Sequence, residues 1–378
     1  MRIAFTGGGT GGHFYPLIAV AEEIRKDYSA DVISFFYFGE DRYDAQALAE
    51  NQMHFVKISA GKKRVYSSPL NFLDNFKIIY GIVQAIFKLS IVYPDVIFSK
   101  GGYVAFPVLF AARILRIPIV IHDSDTVPGR VSLYSAKFAK YVCVSWHEAG
   151  EYMVNKNKIN ANKIIYTGLP LRKEINPNEK IGVPSIAFAN LSNRIPTILI
   201  IGGSQGSEVL NDAVLKSLGV LLRNVQIIHQ TGINNFERVK KTSSELLKNF
   251  PEAQFYMPLP YIDQKDLRFL FSKILIVVSR GGSQMMEFFA WGIPSIVVPI
   301  SVSAGDHQRQ NAYAAMRLGA SVVIEEKNLT PKILENEILR LVKDGEALSK
   351  MVINTKAAAK LDGSKIISEL LIDIVASH

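Results

Sequence analysis

The sequence predicts an α/β protein of two Rossmann-like domains, each built on a parallel sheet. Two observations carry this. Short apolar runs alternate with longer segments of helical period along most of the 378 residues, the pattern of βαβ units. The alternation also starts twice. Each start is a strand, a glycine-rich loop and a helix: RIAF-TGGGTGG-HFYPLIAV from residue 2, and TILI-IGGSQGS-EVLNDAV from residue 197.

In the first half, apolar runs near residues 2–5, 32–38, 54–58, 95–98, 118–121, 141–145 and 164–166 read as strands. After the first of them, Leu17, Ile18, Val20, Ala21 and Ile24 recur at helical spacing. The proline-broken stretch from Gly168 to Thr197 reads as the hinge. Strands then follow in TILII, QIIHQTG, QFYMPL, KILIVVSRGG, PSIVVPI and ASVVIEE. The expected domains are residues 1–170 and 171–359, with a last helix, about 360–378, packing back on the first domain. Two domains that each open with a glycine loop imply a cleft with two ligands facing one another.

Hydrophobic residues make up 48% of the chain, enough for a core in each domain. The longest uninterrupted apolar run, Tyr103 to Ala112, is short of the roughly 20 residues that a spanning helix needs. The first residues read directly as a strand rather than a secretory leader, and the lone cysteine, Cys143, reads as a reduced core thiol. A cytoplasmic protein is expected. The net charge of +9 suits an anionic membrane face or an anionic substrate. The basic residues are scattered and no nucleic-acid-binding signature accompanies them, so no nucleic-acid partner is expected.

Gly7, Gly9 and Gly12 satisfy G-x-G-x-x-G, a pattern that either brings backbone N–H groups to an anion or merely makes a tight turn. His13 lies where the first helix begins. Its imidazole suits a general base, and a nearby helix N-terminus favours the neutral, proton-accepting form. The alternative is a histidine that only caps or packs the helix. In the second glycine loop, the Ser204 hydroxyl and neighbouring N–H groups suit a diphosphate.

Seven segments taken together resemble one family. GGGTGGHFYP, SKGGYVAFP, GLPLR, GGSQGSEVLN, HQTG, SRGGSQMMEFFAWGIPSIVVP and DHQRQNA occur in the order found in the MurG family, the GT-B N-acetylglucosaminyltransferases of peptidoglycan synthesis and cell-wall biogenesis. The resemblance runs from residue 1 to about residue 345 and implies a GT-B fold. It implies inverting transfer of GlcNAc from UDP-GlcNAc to the 4-hydroxyl of MurNAc in an undecaprenyl-diphosphate-linked muramyl peptide. The donor is implied on the C-terminal domain and the acceptor on the N-terminal one. No cofactor and no metal are implied, and the expected place of work is the cytoplasmic face of the membrane.

The resemblance also assigns residues. His13 is implied as the base, and Thr10, Gly11 and Gly12 are placed against the donor. Arg172, in GLPLR, matches a phosphate-contacting arginine. Glu287 matches the carboxylate that holds the ribose hydroxyls, and Gly282, Ser283, Gln284, Met285 and Met286 line the same site with backbone groups. Ile262 matches the residue whose main chain reads uracil, and Gln308 an amide that holds sugar hydroxyls.

One segment departs from the family. An H-E-x-N-like stretch is usual after the fifth strand, and here it is His122-Asp123-Ser124-Asp125. Asp125 stands for an asparagine that faces the sugars, and an ionised acid accepts hydrogen bonds but cannot donate them. Asp123 and Asp125 also imitate a D-x-D metal motif, although arginine and helix-dipole partners already suit the diphosphate. Alternative functions are another GT-B UDP-sugar transferase acting on a lipid, a UDP-GlcNAc 2-epimerase, and a non-catalytic sugar-nucleotide binder.

The segment 71–90, NFLDNFKIIYGIVQAIFKLS, predicts a helix with two apolar stripes. Phe72, Leu73, Phe76, Ile79, Tyr80, Val83, Ile86 and Phe87 form one, assigned to the core. Ile78, Ile82, Ala85 and Leu89 form the other, assigned with Lys77 to an anionic membrane surface. Burial on both sides, or a dimer contact, is the alternative.

Overall fold

The computed structural model describes residues 1–61, 70–181, 184–185, 188, 191–203, 206–301 and 304–377. Its first unit comprises Met1–Lys173 and Lys360–His378, its second Glu174–Ala359.

The first unit is a seven-stranded sheet. Its strands are β1 (Arg2–Thr6), β2 (Ser34–Gly39), β3 (Met53–Lys57), β4 (Val96–Ser99), β5 (Ile119–Asp123), β6 (Tyr141–Val144) and β7 (Ile164–Tyr166), in the order β3-β2-β1-β4-β5-β6-β7. Every pairing is parallel. Helices cover both faces of such a sheet, which is why Ile3, Ala4 and Phe5 are all buried and β1 reads as an unbroken apolar run. Helix α1 (Gly11–Asp27) packs Phe14, Leu17, Ile18 and Val20 into the core formed with Phe5, Phe35 and Phe98. The last helix (Gly363–Ala376) adds Ile367, Leu371 and Ile374 to that same core.

The second unit has six parallel strands: β8 (Thr197–Ile201), β9 (Gln226–Gln230), β10 (Tyr256–Leu259), β11 (Ile274–Ser279), β12 (Ser295–Val297) and β13 (Ser321–Val323). Their order is β10-β9-β8-β11-β12-β13. Each of the thirteen strands overlaps a run that the sequence marks as a strand, with ends that differ by a few residues at most. In each sheet the order reverses at one place, between β1 and β4 and between β8 and β11. Loops leaving adjacent strands there diverge, and the crevice they leave at the carboxyl ends is where open α/β sheets bind ligands.

The two-striped helix, Leu70–Val92, is turned the opposite way from the sequence expectation. Ala85 and Leu89 are fully buried, and Ile78 and Ile82 are half-buried. Phe76, Ile79, Tyr80, Val83 and Phe87 are the exposed residues, at 59% to 66%. The side chains of Phe72 and Leu73 lie outside the described ones.

The reason is size rather than hydrophobicity. The helix packs against its neighbour Phe106–Ile114, and a Cβ on Gly81 would lie 2.0 Å from the Ser59 carbonyl oxygen. Only the face carrying Gly81 and Ala85 approaches that closely. Gln84 and Lys88 also face this side. Gln84 Oε1 accepts from the Ser59 N–H, and Lys88 Nζ donates to the Lys57 carbonyl. By length and composition, Asp74–Val92 is apolar enough to cross a membrane.

Candidate active site

In the first unit, the loops leaving β1 and β4 lie against one another. A Cβ on Gly7 would come within 2.9 Å of the His13 carbonyl oxygen and 3.1 Å of Lys100 Cβ. Gly9 has φ of 83°, and a Cβ there would come within 2.9 Å of the Tyr103 ring. At these two positions glycine is required by the packing of one loop on the other.

Thr10 is the N-cap of α1, yet its side chain makes no hydrogen bond to the helix backbone. Its hydroxyl lies instead 2.9 Å from His13 Nδ1. His13 is the third helical residue, and its N–H donates to the Thr10 carbonyl oxygen at 3.1 Å. In the tautomer where Nδ1–H donates to Thr10 Oγ1, Nε2 carries the lone pair that a base needs. Half-buried Gly11 and Gly12 form the turn between the two residues.

The loop leaving β5 is tied down by its first acid. Asp123 Oδ1 accepts from the Asp125 N–H and Oδ2 from the Gly129 N–H, both at 3.0 Å. The carboxylate that imitates half of a metal motif is therefore occupied in shaping the loop. Asp125 is half-buried. Ser124 is buried and accepts from Lys100 Nζ at 2.9 Å. Beneath this loop His122 is wholly buried, and its Nε2 lies 2.8 Å from the Gly168 carbonyl oxygen. Burial first, and the Lys100 charge second, hold its imidazole well below the usual histidine range, so the ring is neutral and Nε2–H donates. Gly168 opens the GLPLR turn, and His122 thereby anchors the segment that carries Arg172.

Arg172 is 5% exposed, and its guanidinium carbon sits 3.9 Å from the centre of the Tyr15 ring. Its Nε and Nη1 are buried without a hydrogen-bond partner among the described groups. Buried N–H donors of a cation are rarely left so, and an anion would satisfy both. Tyr15 lies on α1 two residues beyond His13, so this arginine packs on the helix that carries the base candidate.

The second unit repeats the plan at its own switch point. Ser204 lies outside the described residues. Around the loops leaving β8 and β11 there is room: a Cβ on Gly203 or Gly282 would meet nothing within 4 Å. Arg280 ties the two loops together. It donates to the Val298 carbonyl oxygen at 2.9 Å, to Glu326 Oε1 at 2.6 Å and to Ser207 Oγ. Ser207 is the N-cap of the helix Glu208–Leu221.

Glu287 is the third residue of the helix Met285–Ala290 and is half-buried, as are Gly282, Ser283 and Gln284. Met285 and Met286 are buried. A Cβ on Gly281 would strike the Gln308 carbonyl, which brings the DHQRQNA segment against SRGGS. Gln308 Oε1 accepts from the Ile300 N–H at 3.4 Å. The Ile262 N–H is already donated to Gln230 Oε1 at 3.1 Å. Glu287, Gln308 and the 282–286 backbone thus share one neighbourhood, with Ile262 held by the strand end of β9.

His229, at that strand end, is wholly buried between Asn211 and Tyr256, at 3.0 Å and 2.8 Å. Asn211 Nδ2 donates to the Thr231 carbonyl oxygen, so Asn211 Oδ1 receives Nε2–H and Nδ1 accepts from the Tyr256 hydroxyl. Burial pushes the His229 ring down to about 3, and it is neutral.

Sequence reasoning missed Lys100, His122, His229 and Arg280. For two of them a signal existed. Ser99-Lys100-Gly101-Gly102 and Ser279-Arg280-Gly281-Gly282 end β4 and β11, the corresponding strands of the two sheets, and in both a cation, buried Lys100 and half-buried Arg280, precedes the glycine pair.

The glycosyltransferase family 28 N-terminal domain matches residues 3–144, and the family's C-terminal domain matches residues 197–367. A UDP-N-acetylglucosamine–N-acetylmuramyl-(pentapeptide) pyrophosphoryl-undecaprenol N-acetylglucosamine transferase from Treponema denticola is 32% identical, over 96% of this chain and 94% of its own length. The enzyme of the same name from Clostridium botulinum strain Alaska E43 is 33% identical over 99% and 97%. Among solved structures, MurG from Acinetobacter baumannii superposes with a TM-score of 0.72 at 23% identity, covering 98% of this chain and 99% of its own. A UDP-GlcNAc 2-epimerase from Neisseria meningitidis, solved with UDP-GlcNAc, reaches the same TM-score at 17% identity, covering 99% and 100%. At these identities the structural likenesses show the fold.

Proposed function

The chain belongs to glycosyltransferase family 28, with the pyrophosphoryl-undecaprenol N-acetylglucosamine transferases as full-length relatives, and on that premise we propose how its residues carry the reaction. It is a GT-B enzyme that moves N-acetylglucosamine from UDP-N-acetylglucosamine to lipid-linked N-acetylmuramyl pentapeptide in peptidoglycan synthesis.

His13 takes the proton from the 4-hydroxyl of the muramyl sugar as that oxygen attacks the anomeric carbon. The C–O bond to the diphosphate breaks on the opposite face, so the centre inverts and UDP leaves. The transition state has oxocarbenium character. Positive charge is needed where the diphosphate departs, and Arg172 with its two unsatisfied N–H groups suits that need. Thr10, Gly11 and Gly12 attend the donor beside His13. In the second unit Glu287 accepts from the ribose hydroxyls, Ser204 and the 282–286 backbone receive phosphate, Ile262 reads uracil, and Gln308 holds sugar hydroxyls. The observation that carries the catalytic reading is the Thr10–His13 hydrogen bond, which holds the ring at Nδ1; the tautomer in which Nδ1–H donates is the one that serves as base.

The same fold serves UDP-GlcNAc 2-epimerases, and that is the second reading. Full-length identity above 30% to transferases favours transfer.

The acceptor carries a long lipid, and the enzyme works at the cytoplasmic face of the membrane as a peripheral protein. Its docking face is the exposed stripe Phe76, Ile79, Tyr80, Val83 and Phe87, with the exposed Lys77 beside it for anionic headgroups. A helix whose opposite face is packed into the protein lies in the interface rather than spanning it. Release of UDP that depends on the muramyl lipid tests the function as a whole.

A further inference from the structure

The loop leaving β5 concentrates acid where water is scarce. Asp123 is 6% exposed and Asp125 is half-buried two residues on. Asp123 already spends both oxygens on backbone N–H groups. The second acid of this loop, Asp125, is where the sequence departs from its family's amide.

Lys100 enters the same place from the end of β4. It is 3% exposed, held by its own N–H to the Thr6 carbonyl oxygen, and its Nζ donates to Ser124 Oγ, between the two acids. A buried lysine keeps its charge only against nearby negative charge. Burial lowers its affinity for a proton, and Asp123 and then Asp125 are the charges that raise it again.

We propose that Lys100 is a positioning residue for Asp125: its buried ammonium, hydrogen-bonded to Ser124 between Asp123 and Asp125, balances the charge of the second acid and fixes it where the family has an amide. Lys100 and Asp125 then form one charge-balanced unit. The proposal deepens the transferase reading, because Asp125 faces the sugars there.

A double-variant cycle tests it on the full chain, with Lys100→Met, Asp125→Asn and the two combined. Two readouts are taken: kcat/KM with UDP-GlcNAc and a soluble muramyl-diphosphate acceptor, and the thermal midpoint. Lys100→Met alone strands two carboxylates without their cation. It is expected to lose about tenfold or more in kcat/KM and to melt earlier. Adding Asp125→Asn is expected to bring both readouts back to within about threefold, or a degree or two, of Asp125→Asn alone. Should Lys100→Met fail to fold, recovery of folding in the double variant supports the pairing equally.

The proposal is overturned if the two losses multiply, if Lys100→Met behaves as the parent, or if the double variant melts no higher than Lys100→Met. If the parent itself releases no UDP on adding acceptor, the transferase reading fails. The thermal cycle then still decides the charge pairing.

Discussion

Thr10 Oγ1 lies 2.9 Å from His13 Nδ1, so the residue that caps the first helix also holds the histidine ring by one nitrogen. The cap gives up its hydrogen bond to the helix backbone to make this contact. His13→Ala is expected to lower kcat by two to four orders of magnitude, roughly the worth of a general base, with UDP affinity nearly intact. Thr10→Val keeps the ring but removes the hydrogen bond that holds it, and about a tenfold loss is expected. Combined with His13→Ala it should cost nothing more. Steady-state rates of the three variants check this, and additive losses would place Thr10 in a separate role.

Glu287→Ala should weaken UDP and UDP-GlcNAc equally. Two hydrogen bonds to a charged acceptor are worth about 2–4 kcal/mol, and both ligands carry the same ribose. Calorimetric titration with each ligand separates the cases. Unchanged UDP affinity beside weakened UDP-GlcNAc affinity would make Glu287 a sugar ligand.

The corrected orientation of the helix Leu70–Val92 changes which residues meet a membrane. Val83→Glu with Phe87→Glu is expected to abolish sedimentation with anionic vesicles and to leave UDP binding and turnover of a soluble acceptor unchanged. Ala85→Leu acts on the packed face instead. It should destabilise the protein by about 1–3 kcal/mol through overpacking and leave vesicle binding as in the parent. The reverse pattern would restore the orientation expected from sequence.

His229 makes stability depend on pH. Its folded value is about 3 against 6.5 in the unfolded chain, so between those limits only the unfolded state takes up the proton. The stabilisation is therefore complete above about pH 6.5 and is lost as pH falls toward 3, at about 1.4 kcal/mol per pH unit for one proton. His122 acts in the same direction. Urea midpoints at pH 7 and pH 5 should differ less for His229→Gln than for the parent. Equal differences would remove His229 from the acid sensitivity.

The thirteen strands were legible because buried parallel strands leave long apolar runs, and the two glycine loops marked where each sheet restarts. The helix Leu70–Val92 was misread because its stripes were compared by hydrophobicity. Which stripe faced inward depended on the small residues Gly81 and Ala85, which alone allow the Ser59 carbonyl to approach. Lys100 and Arg280 escaped notice because a lysine or arginine is by default a surface residue. Nothing local in the sequence announces that strand ends will carry these two inward. His122 and His229 are invisible for a related reason: each acts through buried hydrogen bonds to segments distant in sequence, His122 to Gly168 and His229 to Asn211 and Tyr256.

The most direct test is a single-turnover reaction of the full chain with UDP-GlcNAc and a soluble muramyl-peptide diphosphate lipid analogue, with UDP-glucose and UDP-GalNAc as controls. The expected result is one equivalent of UDP released only when acceptor is present, a β-linked disaccharide product, preference for UDP-GlcNAc, and loss of all three with His13→Ala. Acceptor-independent conversion of UDP-GlcNAc into its 2-epimer, or UDP release that is indifferent to the acceptor, would contradict the account.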